Sequence, residues 1–232
     1  MKAWELLGET CAPDGTDIRL TRRDAEYVIL ANGKPLMSSR LHGSEEALAT
    51  LGCSRAQALT QPRVLVGGLG MGFTLRAVLD VLPSDAVVTV AELIPAVIEW
   101  NRATLAALAA HPLRDPRVRI QTADVGFTLR GNTGRFDVVL LDVDNGPAPF
   151  TDARNAGLYD NSGVAASFAA LRPGGTLAVW SAWEDRKFEQ RLRFHGFRVE
   201  VARVRARLKK GGPRHTIFLG YKPPGSGSDH LE

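Results

Sequence analysis

Cysteine is nearly missing from this chain, with Cys11 and Cys53 the two thiols among 232 residues. Two thiols build neither a disulfide framework nor an unaided zinc cage, so both read as ordinary thiols in a reducing cytoplasm. No apolar run approaches the ~20 residues of a membrane span, which points to a soluble protein with no membrane partner. The first residues, Met1-Lys2-Ala3-Trp4-Glu5, lack the charged-then-apolar pattern of a signal peptide. Zinc-ligand spacing, a Ser-His-Asp order and a P-loop lysine are also missing, which argues against metalloenzyme, hydrolase and NTPase classes. His42 and His111 are assigned no chemistry. Charge is close to balanced: 29 basic against 25 acidic residues give +4. Much of the excess lies in Arg203, Arg205, Arg207, Lys209, Lys210 and Arg214, read as a solvated hairpin end, with nucleic-acid contact the less favoured reading.

What the chain does have is glycine in one telling place. Val64-Leu65-Val66 runs into Gly67, Gly68, Gly70 and Gly72, and Phe73-Thr74-Leu75-Arg76-Ala77-Val78-Leu79 then takes up helical spacing. Strand, tight glycine turn and helix is how a parallel α/β sheet approaches a nucleotide, because the turn needs φ > 0 and close backbone approach. From there strands and helices alternate. Val87–Val90, Val118–Ile120, Asp137–Leu141 and Leu177–Trp180 are strands two to five. A long helix is expected over Ala96–Ala110, a small-residue helix over Ser162–Leu171 and an amphipathic helix over Glu184–His195. Phe197–Val204 and Thr216–Tyr221 are separated by too little chain for a crossover, so they pair antiparallel.

Before this unit, residues 1 to about 40 read as a small antiparallel unit. Its strands are Asp17–Thr21, Glu26–Leu30 and one starting at Leu36-Met37, with Asn32-Gly33 as a hairpin turn. Ser38 or Ser39 is expected to cap a helix containing Ser44–Leu51. The predicted division is 1–55 for the N-terminal β unit, 56–224 for the nucleoside-binding domain and 225–232 for a flexible tail or expression remnant.

Ligands of a doubly wound sheet bind beyond the carboxyl ends of its strands. The glycine loop follows strand one. Glu92 follows strand two, placed to accept ribose hydroxyl protons. Asp124 follows strand three, placed to accept from an adenine amino group. Asp142 follows strand four, with Asp144 and Asn145 after it, facing the reaction centre. Singly, each acid fits a helix cap or solvated loop as well; in one register they point to nucleoside binding.

A parallel sheet closed by an antiparallel hairpin resembles class I S-adenosylmethionine-dependent transferases, with a seven-stranded Rossmann-like α/β sheet. Over nearly its full length the chain resembles the spermidine synthase (aminopropyltransferase) family. Val64–Gly72 looks like the family's glycine-rich loop. Asp142-Val143-Asp144-Asn145-Gly146-Pro147-Ala148 is similar to its Asp-Ser-Ser-Asp-Pro loop and following Gly-Pro-Ala, and Leu158-Tyr159 falls where the family has Phe-Tyr. The resemblance implies that Glu92 binds ribose, Asp124 adenine and Asp142 the amine. Three departures stand out. The loop aspartate that holds the donor amine in the family is Gly70 here. The second acid of the acidic loop aligns with Asn145. The family's Tyr-His-Glu falls near Ser44-Glu45-Glu46, keeping only the glutamate, Glu46.

The expected activity is transfer of an aminopropyl or methyl group from a sulfonium adenosyl donor to an amine or other nucleophile. Asp142 and Asp144 are the candidate catalytic acids, and Gly67, Gly68, Gly70, Gly72, Glu92 and Asp124 the donor-binding residues. Asn145, Tyr159, Trp183 and Glu46 are the candidate acceptor-binding residues. Tyr159 and Trp183 fit ordinary packing equally well. The donor is S-adenosylmethionine or its decarboxylated form. Gly70 leaves room for, and offers an N–H to, the carboxylate of the intact molecule, which tilts the choice toward it. Methyl transfer to a non-polyamine acceptor and a non-catalytic nucleoside-binding module are the alternatives. The resemblance implies a homodimer joined through the N-terminal strands.

Overall fold

The computed structural model describes residues 2–143, 146–147, 156–207 and 212–225. Four strands, β1 (Glu5–Cys11), β2 (Asp17–Arg23), β3 (Glu26–Ala31) and β4 (Lys34–Ser38), form an antiparallel meander in chain order. Asn32 and Gly33 take φ of 48° and 74°, as a two-residue hairpin between β3 and β4 requires. The sequence pattern announces three of these strands, and β1 is the addition. Its alternation is broken at Gly8, where the pairing with β2 shifts register. A side chain there would collide with the Trp100 indole, since a Cβ would lie 2.6 Å from Nε1. Ile18, Leu20 and Ile29 bury their side chains against Met71 and Leu105, so this sheet rests beside the glycine loop.

The second sheet has seven strands: β5 (Arg63–Gly67), β6 (Val87–Glu92), β7 (Val118–Thr122), β8 (Phe136–Leu141), β9 (Leu171–Ser181), β10 (Arg198–Arg205) and β11 (Arg214–Tyr221). Their order is β10-β11-β9-β8-β5-β6-β7. Strands β9 to β7 along that order pair in parallel, whereas β11 is antiparallel to both β9 and β10. This is the α/β architecture with a closing antiparallel hairpin that the sequence pattern implies. The order reverses between β5 and β8, and a crevice opens at such a switch point beyond the strands' carboxyl ends.

Helices cover both faces. On one side lie α1 (Gly43–Gly52), α2 (Phe73–Val81) and α3 (Pro95–Arg102), contributing Leu48, Leu75, Val78 and Ile98 to a core with Val64, Val66 and Leu140. On the other lie α4 (Val125–Arg130), α6 (Asn161–Ala170) and α7 (Arg186–Phe194), contributing Leu129, Val164, Phe188 and Leu192, with the short α5 (Ala156–Tyr159) leading into α6. Burying these apolar faces on both sides of a parallel sheet is the main stabilising term, at roughly 25 cal/mol per Å². None of the described helices is long and apolar enough to cross a membrane.

Two local expectations change. The helix expected over Ala96–Ala110 ends at Arg102. Ala103 turns the chain (φ −121°, ψ −93°), the Leu105 N–H bonds back to the Trp100 carbonyl at 2.7 Å, and a 3-10 turn occupies Ala106–Ala109. The reason is tertiary: the turn drives Leu105, fully buried, into the cluster under the N-terminal sheet. The alanine-rich stretch has helical propensity, but that burial outweighs it. Second, neither Ser38 nor Ser39 caps α1. Ser38 Oγ donates to Glu26 Oε1, and Ser39 Oγ accepts the Tyr27 N–H, each within the small sheet. His42 occupies the cap position without a side-chain capping hydrogen bond, and the Gly43 N–H bonds the Ala206 carbonyl at 2.8 Å, tying α1 to the end of the β10–β11 hairpin.

Candidate functional site

The glycine loop is built by close approach on three sides. A Cβ on Gly67 would lie 2.7 Å from Val125 Cγ2, and one on Gly68 2.4 Å from the Asp142 carbonyl oxygen. Gly68, Gly70 and Gly72 have φ of 86°, 53° and 84°, a region that side chains avoid. The Gly68 N–H donates to the Ala91 carbonyl, and the Asp142 N–H to the Gly67 carbonyl, both at 2.9 Å. Asn101 Nδ2 donates to the Gly70 carbonyl at 2.8 Å and to Val97 at 2.9 Å, so α3 fixes the loop's far side.

Above Gly70 the space is not open. Met37, from β4 of the small sheet, places its Sδ 3.2 Å and its Cε 3.4 Å from where a Cβ would stand. The side of Gly70 on which a side chain would stand thus faces an apolar thioether.

Glu92 ends β6 with its side chain buried. Oε2 accepts the Leu69 N–H at 2.9 Å and Oε1 the Ile94 N–H at 2.8 Å. The carboxylate thus clamps the glycine loop to the β6 turn. Asp124 is the N-cap of α4: Oδ1 accepts the Phe127 N–H at 2.8 Å, while half the side chain stays exposed. The Ala123 N–H bonds the Glu92 carbonyl at 3.0 Å, which holds these two acids beside one another along the sheet's edge.

Asp142 lies just beyond β8, where the order of strands reverses. Its Oδ2 accepts the hydroxyl proton of Thr74, a buried residue in the first turn of α2. Burial pushes its carboxyl up to about 6, against the opposing pull of the Thr74 hydroxyl. A carboxyl tuned toward neutrality at a strand end is suited to take a proton near physiological pH.

The second acid near Asp142 is one that sequence spacing does not select. Glu45, in the first turn of α1, has its carboxyl pushed up to about 8, by burial first and then by the Asp142 charge. Glu46 points elsewhere: its Oε1 pairs with His42 Nδ1 at 2.7 Å, and it lines an open groove of about 660 Å³ with His42, Phe73 and Arg76. So Glu45 is the glutamate that the Asp142 charge acts on, while Glu46 turns to His42. Neighbouring residues on a helix point about 100° apart, and sequence alone gives no origin for that rotation.

Asp144 and Asn145 lie outside the described residues, as do Lys209 and Lys210 of the basic cluster. Tyr159 is buried in the core edge-on to Phe188, and its hydroxyl reaches the Val143 carbonyl at 3.1 Å, directly beneath the acidic loop. Trp183 stands just past β9 with an exposed ring, its backbone looped through Ser181 Oγ. Gly146 packs on the backbone of Trp180 and Ser181, which brings the loop after Asp142 against the end of β9. In the basic cluster Arg203 is paired with Glu184, and Arg205 faces Arg214 across the hairpin.

A mostly parallel sheet with a closing hairpin, a glycine loop clamped by a buried glutamate and an acid at the switch point define a methyltransferase-like fold. No family profile matches the chain. Its relatives by sequence are polyamine aminopropyltransferases. That of Corynebacterium efficiens is 32% identical over 173 residues, covering 73% of this chain and 31% of that protein. That of Mycobacterium tuberculosis is 36% identical over 119 residues, covering 50% of this chain and 22% of that protein. The chain therefore spans less than a third of the length of these relatives. Among solved structures it matches the spermidine synthase of Thermotoga maritima, with a TM-score of 0.71 and 20% identity over 94% of this chain and 72% of that one. A spermidine synthase in complex with the transition state analogue AdoDATO gives a TM-score of 0.70 at 19% identity, over 94% and 72% of the two chains. A probable spermidine synthase from Corynebacterium glutamicum gives 0.61 at 20% identity, over 92% and 79%. The chain has the spermidine synthase fold and is related in sequence to polyamine aminopropyltransferases.

Proposed function

We propose that the protein transfers an aminopropyl group from decarboxylated S-adenosylmethionine to an amine. The observation that carries this reading is Asp142: a carboxylate raised toward neutrality, held by Thr74 at the switch point, beside the glycine loop. In this reading the loop backbone and Glu92 hold the ribose, and Asp124 turns its exposed oxygen to the adenine. Asp142 removes a proton from the acceptor ammonium and aligns the freed lone pair with the carbon next to the sulfonium. The C–N bond forms as the C–S bond breaks, and the electron pair stays on sulfur as a neutral thioether that needs no acid. Asp144, Asn145, Tyr159 and Trp183 complete the acceptor side. The sequence relatives support an amine acceptor and the decarboxylated donor, and Met37 above Gly70 suits a donor without a carboxylate. The same reading has the enzyme cytoplasmic and dimeric through the small sheet, where Leu6 of β1 and the preceding Trp4 are exposed.

The test is mass spectrometry of the nucleoside product after incubation with each donor and a diamine. Methylthioadenosine from the decarboxylated donor is the expected result. S-adenosylhomocysteine from the intact donor would establish methyl transfer instead, and neither product would leave a binding module.

A further inference from the structure

The β10–β11 hairpin reaches past its neighbour β9 at the carboxyl edge of the sheet, the edge that carries the glycine loop and Asp142. The register gives the overhang. Thr216 pairs with Ser181, where β9 ends, and also with Arg203. Arg205 pairs with Arg214 two residues farther out. Strand alternation puts Arg203, Arg205 and Arg214 on the face of Val199 and Phe218, which pack in one cluster with Tyr159 and with Phe188 of α7. The opposite face is tied down: His215 Nδ1 lies 2.9 Å from Ser44 Oγ, and the Gly43 N–H bonds the Ala206 carbonyl at 2.8 Å. The hairpin end is therefore fixed against α1.

Arg203 is neutralised by Glu184. Arg205, Arg207 and Arg214 are exposed and make no ion pair or side-chain hydrogen bond among the described residues. The connecting sequence, Leu208-Lys209-Lys210-Gly211, contains no acid. Like charges directly opposed on a hairpin are destabilising. One anion between two guanidinium groups reverses that, because each presents a planar fork to a carboxylate or phosphate. Three unpaired arginines suit a single anionic group, whereas a nucleic-acid backbone rewards a longer stripe of cations. Trp183, next in sequence to the Glu184 that pairs with Arg203, adds an exposed ring to this patch. One residue past the Leu141–Val179 pair, Asp142 stands level with Trp180, which pairs with Ile217. Arg214 lies three residues beyond Ile217, on a strand two places from β8. With strands about 4.8 Å apart and a rise of about 3.3 Å per residue, its backbone is about 14 Å from that of Asp142.

We propose that the acceptor is an amine whose far end carries a carboxylate or phosphate, and that Arg205 and Arg214 hold that group. The amine end lies at Asp142 and the anionic end at the hairpin, across a gap that the arginine side chains shorten. A diamine brings a second ammonium to the same place and meets three guanidinium groups that no acid offsets. That an amine is alkylated at all rests on the aminopropyl-transfer reading; the anion site does not.

The test uses the full chain and acceptors of matched length: α,ω-diamines, ω-amino carboxylates and ω-aminoalkyl phosphates. With the decarboxylated donor, an anion-bearing amine should show a KM several-fold below that of the diamine, and the advantage should shrink as salt is raised. Which of the two anions gains more tells carboxylate from phosphate. Arg205→Ala combined with Arg214→Ala should remove the advantage through KM rather than kcat. Arg205→Lys with Arg214→Lys, which keeps the charge without the fork, should retain part of it. The double alanine variant should melt no lower than wild type, because it relieves a like-charge pair. Calorimetry with the ω-aminoalkyl phosphate and ω-amino carboxylate, without donor, should show binding that this variant lacks. A wild-type preference for the diamine overturns the proposal, as does an anion preference that survives in the double alanine variant. So does salt-sensitive binding of a single-stranded RNA oligonucleotide with no discrimination among the amines, which makes the hairpin end a nucleic-acid surface. Anion binding lost in the double variant, with no transfer to any amine, upholds the site and refutes the aminopropyl reading.

Discussion

Replacing Asp142 with asparagine should stabilise the protein while it abolishes turnover. Asp142 is held at a pKa of about 6, up from 3.8, chiefly by burial. The folded state therefore binds its proton more tightly than the unfolded chain does. Through this group the wild type loses stability as the pH rises from 3.8 to about 6, and above that window the Asp142 contribution is fully lost. A rise of about two units corresponds to a penalty of about 3 kcal/mol at neutral pH, an upper bound because the site keeps some solvent contact. Asparagine is nearly isosteric, its Oδ1 still accepts the Thr74 hydroxyl proton, and it never ionises. The variant should match the wild type below pH 4 and exceed it by up to about 3 kcal/mol at pH 8, or roughly 6–12 °C in melting temperature for a domain of this size. Urea denaturation at pH 4, 6 and 8 reads the stability gap. Steady-state assays on the same samples should show a loss of about 10²-fold or more, with donor affinity by calorimetry close to wild type. A stability difference that is flat with pH, or a variant less stable at pH 8 than at pH 4 relative to wild type, would refute the burial argument. Retained turnover would remove Asp142 from the reaction.

Two further substitutions test the donor side. Glu92→Gln keeps one accepting oxygen for two backbone N–H groups, Leu69 and Ile94. The unpaired donor should cost about 1–3 kcal/mol in thermal unfolding, with weaker calorimetric binding of an adenosyl ligand; unchanged stability would show that the clamp is dispensable. Gly68→Ala forces a side chain into φ 86° and to 2.4 Å from the Asp142 carbonyl. Left-handed strain and overpacking together should cost roughly 2–5 kcal/mol in urea denaturation, and a midpoint within error of wild type would contradict the close approach.

The large sheet was legible because its strands are short, apolar and bounded by glycine, proline and acidic turns. Val64–Val66, Val87–Val90 and Asp137–Leu141 all fall inside β5, β6 and β8. Glu92 and Asp142 could be placed at strand ends for the same reason: a parallel strand fixes which residue follows it. The small sheet was half legible. Asn32-Gly33 announces a hairpin by its φ requirements, but β1 carries a glycine at a register shift and has no alternation to read. Ala96–Ala110 shows the opposite failure, where local propensity is clear and the burial of Leu105 overrides it.

The acid beside Asp142 was illegible for a different reason. Glu45 and Glu46 are adjacent acids with equal helix propensity, and the resemblance favours the second. What selects the first is the rotation of α1, set where the Gly43 N–H meets the Ala206 carbonyl and Ser44 meets His215. Both contacts come from the closing hairpin, which is far along the chain and otherwise distant from the reaction centre in sequence. The hairpin that distinguishes this sheet from a dinucleotide-binding one therefore also decides which glutamate enters the site. A substitution that loosens the β10–β11 end near Ala206 or His215 should disturb Glu45's titration before it disturbs Glu92 or the glycine loop, whose hydrogen bonds run to Ala91, Ile94, Asn101 and Asp142 and not to the hairpin.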